Sequence, residues 1–194
     1  MNIFDFDGTL YLGDSTRDFL IYSFKKHPSL IRFLPSQGWA AALYFLGKLP
    51  KTAMKERIYR MFTGYDAPGL LEEFWDKHQH KVFSWYKGGL QREDDIVISA
   101  SPEFLLEPIC QRLGIRHLMA SRVDPRTGAY TGENCWGPEK VIRLKDQMGI
   151  THCEGFYSDS YSDQPLADIS DTAYRIDKGQ ILPWGRPYGE AAAE

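Results

Sequence analysis

The stretch Ile3-Phe4-Asp5-Phe6-Asp7-Gly8-Thr9-Leu10 is a short apolar run that closes on two carboxylates one residue apart and then meets a glycine. Side chains alternate across a strand, so if the strand continues through both acids, Asp5 and Asp7 share one side while Ile3, Phe4 and Phe6 pack the sheet. Gly8 permits a sharp departure from the strand end. Open α/β sheets place their sites at the carboxyl ends of strands, where such a pair could hold a divalent cation or divide nucleophilic and acid/base work. On spacing alone, a strand end with two solvated acids is the simpler reading. The rest of the chain has to decide between them.

At 194 residues there is room for one α/β domain with an insertion. Asp14 and Ser15 offer N-cap chemistry to a helix carrying Phe19, Leu20, Tyr22 and Phe24. From there to about Leu90 the pattern is helical, with segments expected at 30–34, 39–46, 51–62 and 70–86 separated by Pro28, Pro35, Pro50 and Gly64. Thr52 is the expected N-cap of the third, whose apolar stripe is Met54, Ile58, Met61 and Phe62 and whose other face carries Lys55, Arg57 and Arg60. The apolar stripe from Trp39 to Leu46 is expected to pack inside this helical region rather than to anchor on lipid.

Strand character resumes with the continuous apolar run at 95–99, which suits a buried parallel strand. Ser101 is the expected cap of a helix with Pro102 in its first turn, ended by Gly114. A strand at 117–123, a turn at 124–128 and a return at 129–132 make a small hairpin. Gly137-Pro138 opens a helix stopped by Gly149, and strands follow at 154–158 and 172–176. Residues after Pro183 read as a poorly ordered tail. The changes of character near residue 14 and at Gly88-Gly89 imply a core of residues 1–14 and 89–194 and an all-helical insertion at 15–88.

Net charge is −3 with no long run of one sign, which gives no reason to propose nucleic acid. Cys110, Cys135 and Cys153 lack CxxC spacing and fit a reducing compartment. With the acids beginning at position 5 there is no room for a signal peptide, so a cytoplasmic location is expected. The longest uncharged stretch, residues 33–47, is shorter than the roughly 20 apolar residues that span a bilayer, though it could lie on a membrane surface. His78 and His80 are two apart, a poor spacing for a metal pair on a helix.

Four polar signals fall at successive strand ends or helix starts: Asp5 with Asp7, Ser99, Lys140, and Asp159 with Asp163. Taken together they can supply a nucleophile, a general acid, a cation and fixed donors, which are the parts a phosphoryl transfer needs. In order and context they resemble the haloacid dehalogenase superfamily of aspartate-nucleophile phosphatases. That resemblance implies a Rossmann-like α/β fold with a central, mostly parallel sheet. It also implies Asp5 as nucleophile, Asp7 as general acid and then base, Ser99 as a donor to the phosphoryl group and Lys140 as its neutralising cation. Asp159 and Asp163 would complete a Mg2+ site with Asp5 and the Asp7 carbonyl. Where many members carry Gly-Asp-Gly, this chain has Ser158-Asp159-Ser160, and serine is small enough to keep the turn.

A helical cap directly after the first motif resembles the phosphoserine phosphatase-like subgroup, subfamily IB. The stretches 135–141 and 157–166 resemble bacterial phosphatidylglycerophosphatase C. The implied substrate is a small phosphorylated metabolite, phosphoserine-like, with a lipid phosphate as the alternative. Asp14 would face a substrate amine or simply cap its helix, Ala100 would belong to the substrate-binding residues, and Arg57 and Arg60 would meet a second anion or be solvated. A phosphotransferase and a non-catalytic binder of phosphorylated ligands are the remaining rivals, and the oligomeric state is open.

Overall fold

The computed structural model describes residues 1–63 and 67–185. Six strands form one sheet in the order β3-β2-β1-β4-β5-β6: β1 Asn2–Phe4, β2 Ile96–Pro102, β3 His117–Ser121, β4 Cys153–Ser158, β5 Ser170–Asp177 and β6 Gln180–Pro183. All neighbours are parallel except β5 and β6. The alternation of side chains divides the sheet cleanly. Phe4, Val97 and Tyr157 face one apolar cluster with Leu105, Leu106 and Ile109 of α5 (Glu103–Leu113), while Ile3, Ile96, Ile98 and Phe156 face another with Leu144 of α6 (Pro138–Met148) and Leu166 of α7 (Gln164–Ala167). Helices therefore cover both faces, as a buried parallel sheet requires.

The chain runs from β1 to β2 and β3 on one side, then crosses to β4 on the other side of β1, so the topological switch point lies between β1 and β4. Between β1 and β2 stand α1 Ser15–Lys26, α2 Leu34–Phe45, α3 Lys51–Tyr59 and α4 Ala67–His78. This region shares its core with the sheet. Trp75 of α4 is fully buried against Phe6 and Tyr11, and its Nε1–H donates to the Leu105 carbonyl at 2.8 Å.

Several local expectations are corrected. Pro35 does not separate two helices but sits in the first turn of α2, where its missing N–H costs nothing, and residues 28–33 form a 3-10 turn instead of α-helix. Pro50, not Thr52, holds the cap position of α3. The helix expected to reach residue 86 stops at His78, because Tyr11 forms an antiparallel bridge with Val82 and the Leu10 carbonyl takes the Phe83 N–H. These bonds tie the two ends of the helical region together. The hairpin at 117–132 shrinks to a single bridge between Val123 and Tyr130. Beyond Asp177 the chain forms β6, a strand the pattern did not signal, and Trp184, the first residue of the expected tail, donates from its ring to Gln164 at 3.0 Å. Gly64 and the rest of the expected tail, residues 186–194, lie outside the described residues.

The stripe from Trp39 to Leu46 does not pack inside. Of α2 only Ala40 is buried, whereas Trp39 is 64% exposed, Phe45 83% and the following Leu46 67%. All three cysteines are buried and unpaired. No helix among the described residues is long and apolar enough to cross a membrane.

Candidate active site

β1 ends at Phe4, one residue before Asp5, so the strand does not run through both acids. Asp5 keeps the strand direction by donating its N–H to the Tyr157 carbonyl at 2.9 Å. The chain then turns back: Thr9, Leu10 and Tyr11 all donate to the Phe6 carbonyl, and Gly8 takes φ +71°. Asp5 and Asp7 still meet at one cavity, through the turn rather than the pleat. A side chain at Gly8 would also collide with the Asp159 carboxylate, whose Oδ2 lies 2.1 Å from where a Cβ would stand. The positive φ is what calls for glycine, and the Asp159 carboxylate occupies the space its missing side chain leaves.

The cavity, about 610 Å³, opens at the carboxyl ends of β1, β2 and β4. At its base Lys140, from the first turn of α6, bridges Asp5 (2.9 Å) and Asp163 (2.7 Å). Burial pulls the ammonium down, but the two carboxylates more than offset this and hold it above its ordinary value. Burial likewise pushes the Asp5 carboxyl up against the opposing pull of Lys140. Ser158 donates to Asp163 Oδ2 at 2.9 Å, which leaves Asp163 Oδ1 buried without a partner. Burial and the neighbouring charge of Asp163 also raise Asp159. This is a set of hard oxygen donors short of positive charge, which is the chemistry a magnesium-type cation satisfies. Among the described residues no three His, Cys, Asp or Glu side chains form a ready-made metal cage.

Asp7 is held on both oxygens. Oδ1 accepts from the Ser15 N–H at 2.6 Å and Oδ2 from the Ser101 hydroxyl at 2.5 Å. With its one proton committed to Asp7, Ser101 accepts from Thr16 at 3.0 Å. Burial, then the charge of Asp14, pushes Asp7 up to about 6, against the pull of these donors. Ser101 was expected as a helix cap and is not one. The β2–β3 register shifts between Ser99 and Pro102, and this bulge re-aims Ser101 toward Asp7.

Ser99 is buried, lines the cavity and accepts from the Ser101 N–H at 3.1 Å, leaving its own proton for another acceptor. The Ala100 carbonyl is taken by Ser121 and by Lys55, each at 3.0 Å. Asp14 caps α1, its carboxylate accepting the Arg17 N–H at 2.8 Å, and it also lines the cavity. Ser160 replaces the second family glycine without strain, because its φ is −124°.

Arg57 and Arg60 do not line the cavity; Lys51, Lys55 and Arg17 do, with Trp136 at the rim. Lys51 and Lys55 are four apart on α3, the spacing that places two cations on one helix face, and that was the available signal. Lys55 donates to Ala100 and, at 3.3 Å, to Asn134, which leaves a third proton for the cavity. Burial, then the charge of Lys51, pulls it down to about 8. Lys51 sits 5.3 Å from the Trp136 ring centre.

A mostly parallel sheet with helices on both faces and a lysine-bridged carboxylate cluster at its switch point makes this an α/β protein with an acidic site at its strand ends. The chain belongs to the haloacid dehalogenase-like hydrolase family, whose description matches residues 3–168. Protein CicA of Caulobacter vibrioides is 30% identical over 91% of this chain and 86% of its own length. Among solved structures, a Bordetella pertussis protein of unknown function superposes with a TM-score of 0.73 at 20% identity, covering 89% of this chain and 87% of the other. A substrate-bound phosphoserine phosphatase superposes with a TM-score of 0.57 at 14% identity, covering 89% and 83%.

Proposed function

We propose that this hydrolase is a magnesium-dependent phosphomonoesterase working through an aspartyl-phosphate on Asp5. The observation that carries the reading is the pairing of two differently held carboxylates at one cavity: Asp5 bridged to Lys140, and Asp7 held by the Ser15 N–H and the Ser101 hydroxyl away from that lysine. The Lys140 ammonium opposes the burial that raises Asp5 and favours its carboxylate form, so that a carboxylate oxygen can attack phosphorus. Asp7, half protonated near pH 6, gives its proton to the leaving alcohol and then takes one from the water that cleaves the acyl phosphate. Ser99 donates to a phosphoryl oxygen. Asp5, Asp159, Asp163 and the Asp7 carbonyl would hold Mg2+. When bound, the ion would offset the phosphoryl charge and the mutual repulsion of these acids. Residues 15–88 are read as a cap over a core of 1–14 and 89–194, excluding water during the first transfer.

Lys51, Lys55 and Arg17 favour substrates with a second anionic group, and Asp14 favours a nearby amine, as in a phosphorylated amino acid. Acid quenching during turnover, followed by peptide mass spectrometry, should find a phosphoryl group on Asp5 only when Mg2+ is present. Turnover without any phosphorylated peptide would reject the mechanism.

Ser101→Ala tests the role given to Asp7. Removing a donor that stabilises the carboxylate raises the Asp7 pKa further, so the alkaline limb of the phosphorylation half-reaction, where the acid must be protonated, should move to higher pH. A rate loss of about tenfold with an unshifted profile would count against Asp7 as the acid.

A further inference from the structure

We infer that the outer face of α2 docks on an anionic lipid bilayer, an interaction that goes beyond the hydrolytic site and does not depend on it. The face is built by helical spacing. Pro35, Gly38, Trp39, Ala42 and Phe45 are exposed together, and Leu46 continues the row, while Gln37 and Ala40 turn inward, Gln37 donating to Met61 Sδ at 3.2 Å. No charged residue occurs from 33 to 47. A Trp and a Phe standing 64% and 83% exposed on one uncharged helix are costly in water and suited to the boundary between headgroups and acyl chains.

Charge around the face selects the occupant. From Phe19 to Lys55 the chain carries Lys25, Lys26, Arg32, Lys48, Lys51 and Lys55 and not one Asp or Glu, in a protein whose net charge is −3. Lys25, Arg32 and Lys48 are exposed, and Arg32 and Lys48 directly flank the uncharged stretch. A second copy of the chain would bring the same cations against these, since a two-fold interface pairs a patch with itself. An anionic bilayer meets both the apolar row and the flanking cations. Docking there would also set the cavity near the surface, because Lys51, which lines it, follows Leu46 by only five residues.

The experiment is flotation of the full chain with phosphatidylcholine vesicles containing phosphatidylglycerol, and with phosphatidylcholine alone. The chain should float with the first at low salt and much less with the second. Arg32→Glu/Lys48→Glu should lower partitioning by at least about 25-fold, on the scale of roughly fivefold per cation removed, and Trp39→Ser/Phe45→Ser should lower it by at least about tenfold through lost apolar burial. Thermal unfolding should be unchanged, since these side chains are exposed. No flotation with anionic vesicles would overturn the inference. So would concentration-dependent self-association abolished by Trp39→Ser/Phe45→Ser, which would assign the face to a second copy.

Discussion

Asp5→Asn is expected to abolish magnesium-dependent hydrolysis of an aryl phosphate, with kcat falling by at least about 10^4-fold, while the protein stays folded. The substitution preserves shape and keeps one oxygen able to accept the 2.9 Å bond from Lys140. It removes the nucleophile, because an amide oxygen carries too little electron density to displace an alkoxide from phosphorus. Stability should change little. Asp5 is a buried carboxylate whose ionisation burial opposes, so losing its charge relieves desolvation while Lys140 retains Asp163 at 2.7 Å. Turnover by purified Asp5→Asn protein at a normal rate would eliminate Asp5 as the attacking group. A loss of folding, read by circular dichroism, would show instead that the carboxylate is needed for structure.

Lys140→Met has the opposite profile and should cost both activity and stability. Lys140 is 2% exposed and is the shared partner of Asp5 and Asp163, themselves 9% and 2% exposed. Removing it leaves two carboxylates facing each other in a buried site, a change that typically costs about 3–5 kcal/mol. The loss should depend on pH in a definite sense. Without the ammonium, burial and the neighbouring charge of Asp163 hold the folded-state pKa of Asp5 above that of the unfolded chain. The native state then binds more protons, and stability falls as pH rises through the raised Asp5 pKa. Urea unfolding in the presence of a chelator should therefore show a larger deficit at about pH 8 than at about pH 5. A deficit under about 1 kcal/mol that does not vary with pH would mean the two acids are not charge-coupled through this lysine.

The acidic and basic members of the site were readable because each follows a strongly patterned element. Asp5 follows an apolar run, Ser99 ends another, Lys140 lies just inside a helix opened by Gly137-Pro138, and Asp159 and Asp163 flank a turn after β4. Ser101 was misread for a physical reason. A serine before Pro-Glu has the local signature of an N-cap, and only the register shift against β3 sends its hydroxyl to Asp7 instead. The cap cations were misassigned because α3 carries basic residues on more than one face, and the face that meets the cavity is set by how α3 packs on α2 and the sheet. Thus Lys51 and Lys55 line the cavity, and Arg57 and Arg60 do not.

By itself the sequence determined the class of fold and the order in which reactive groups arrive, since burial alternation, glycine and proline punctuation and helix caps are local properties written in neighbouring residues. Tertiary structure alone decided the orientation of α2, whose central turns are apolar on every side. For such a helix local pattern offers no inside. The neighbours choose it, and here they bury Ala40 and leave Trp39 and Phe45 to solvent.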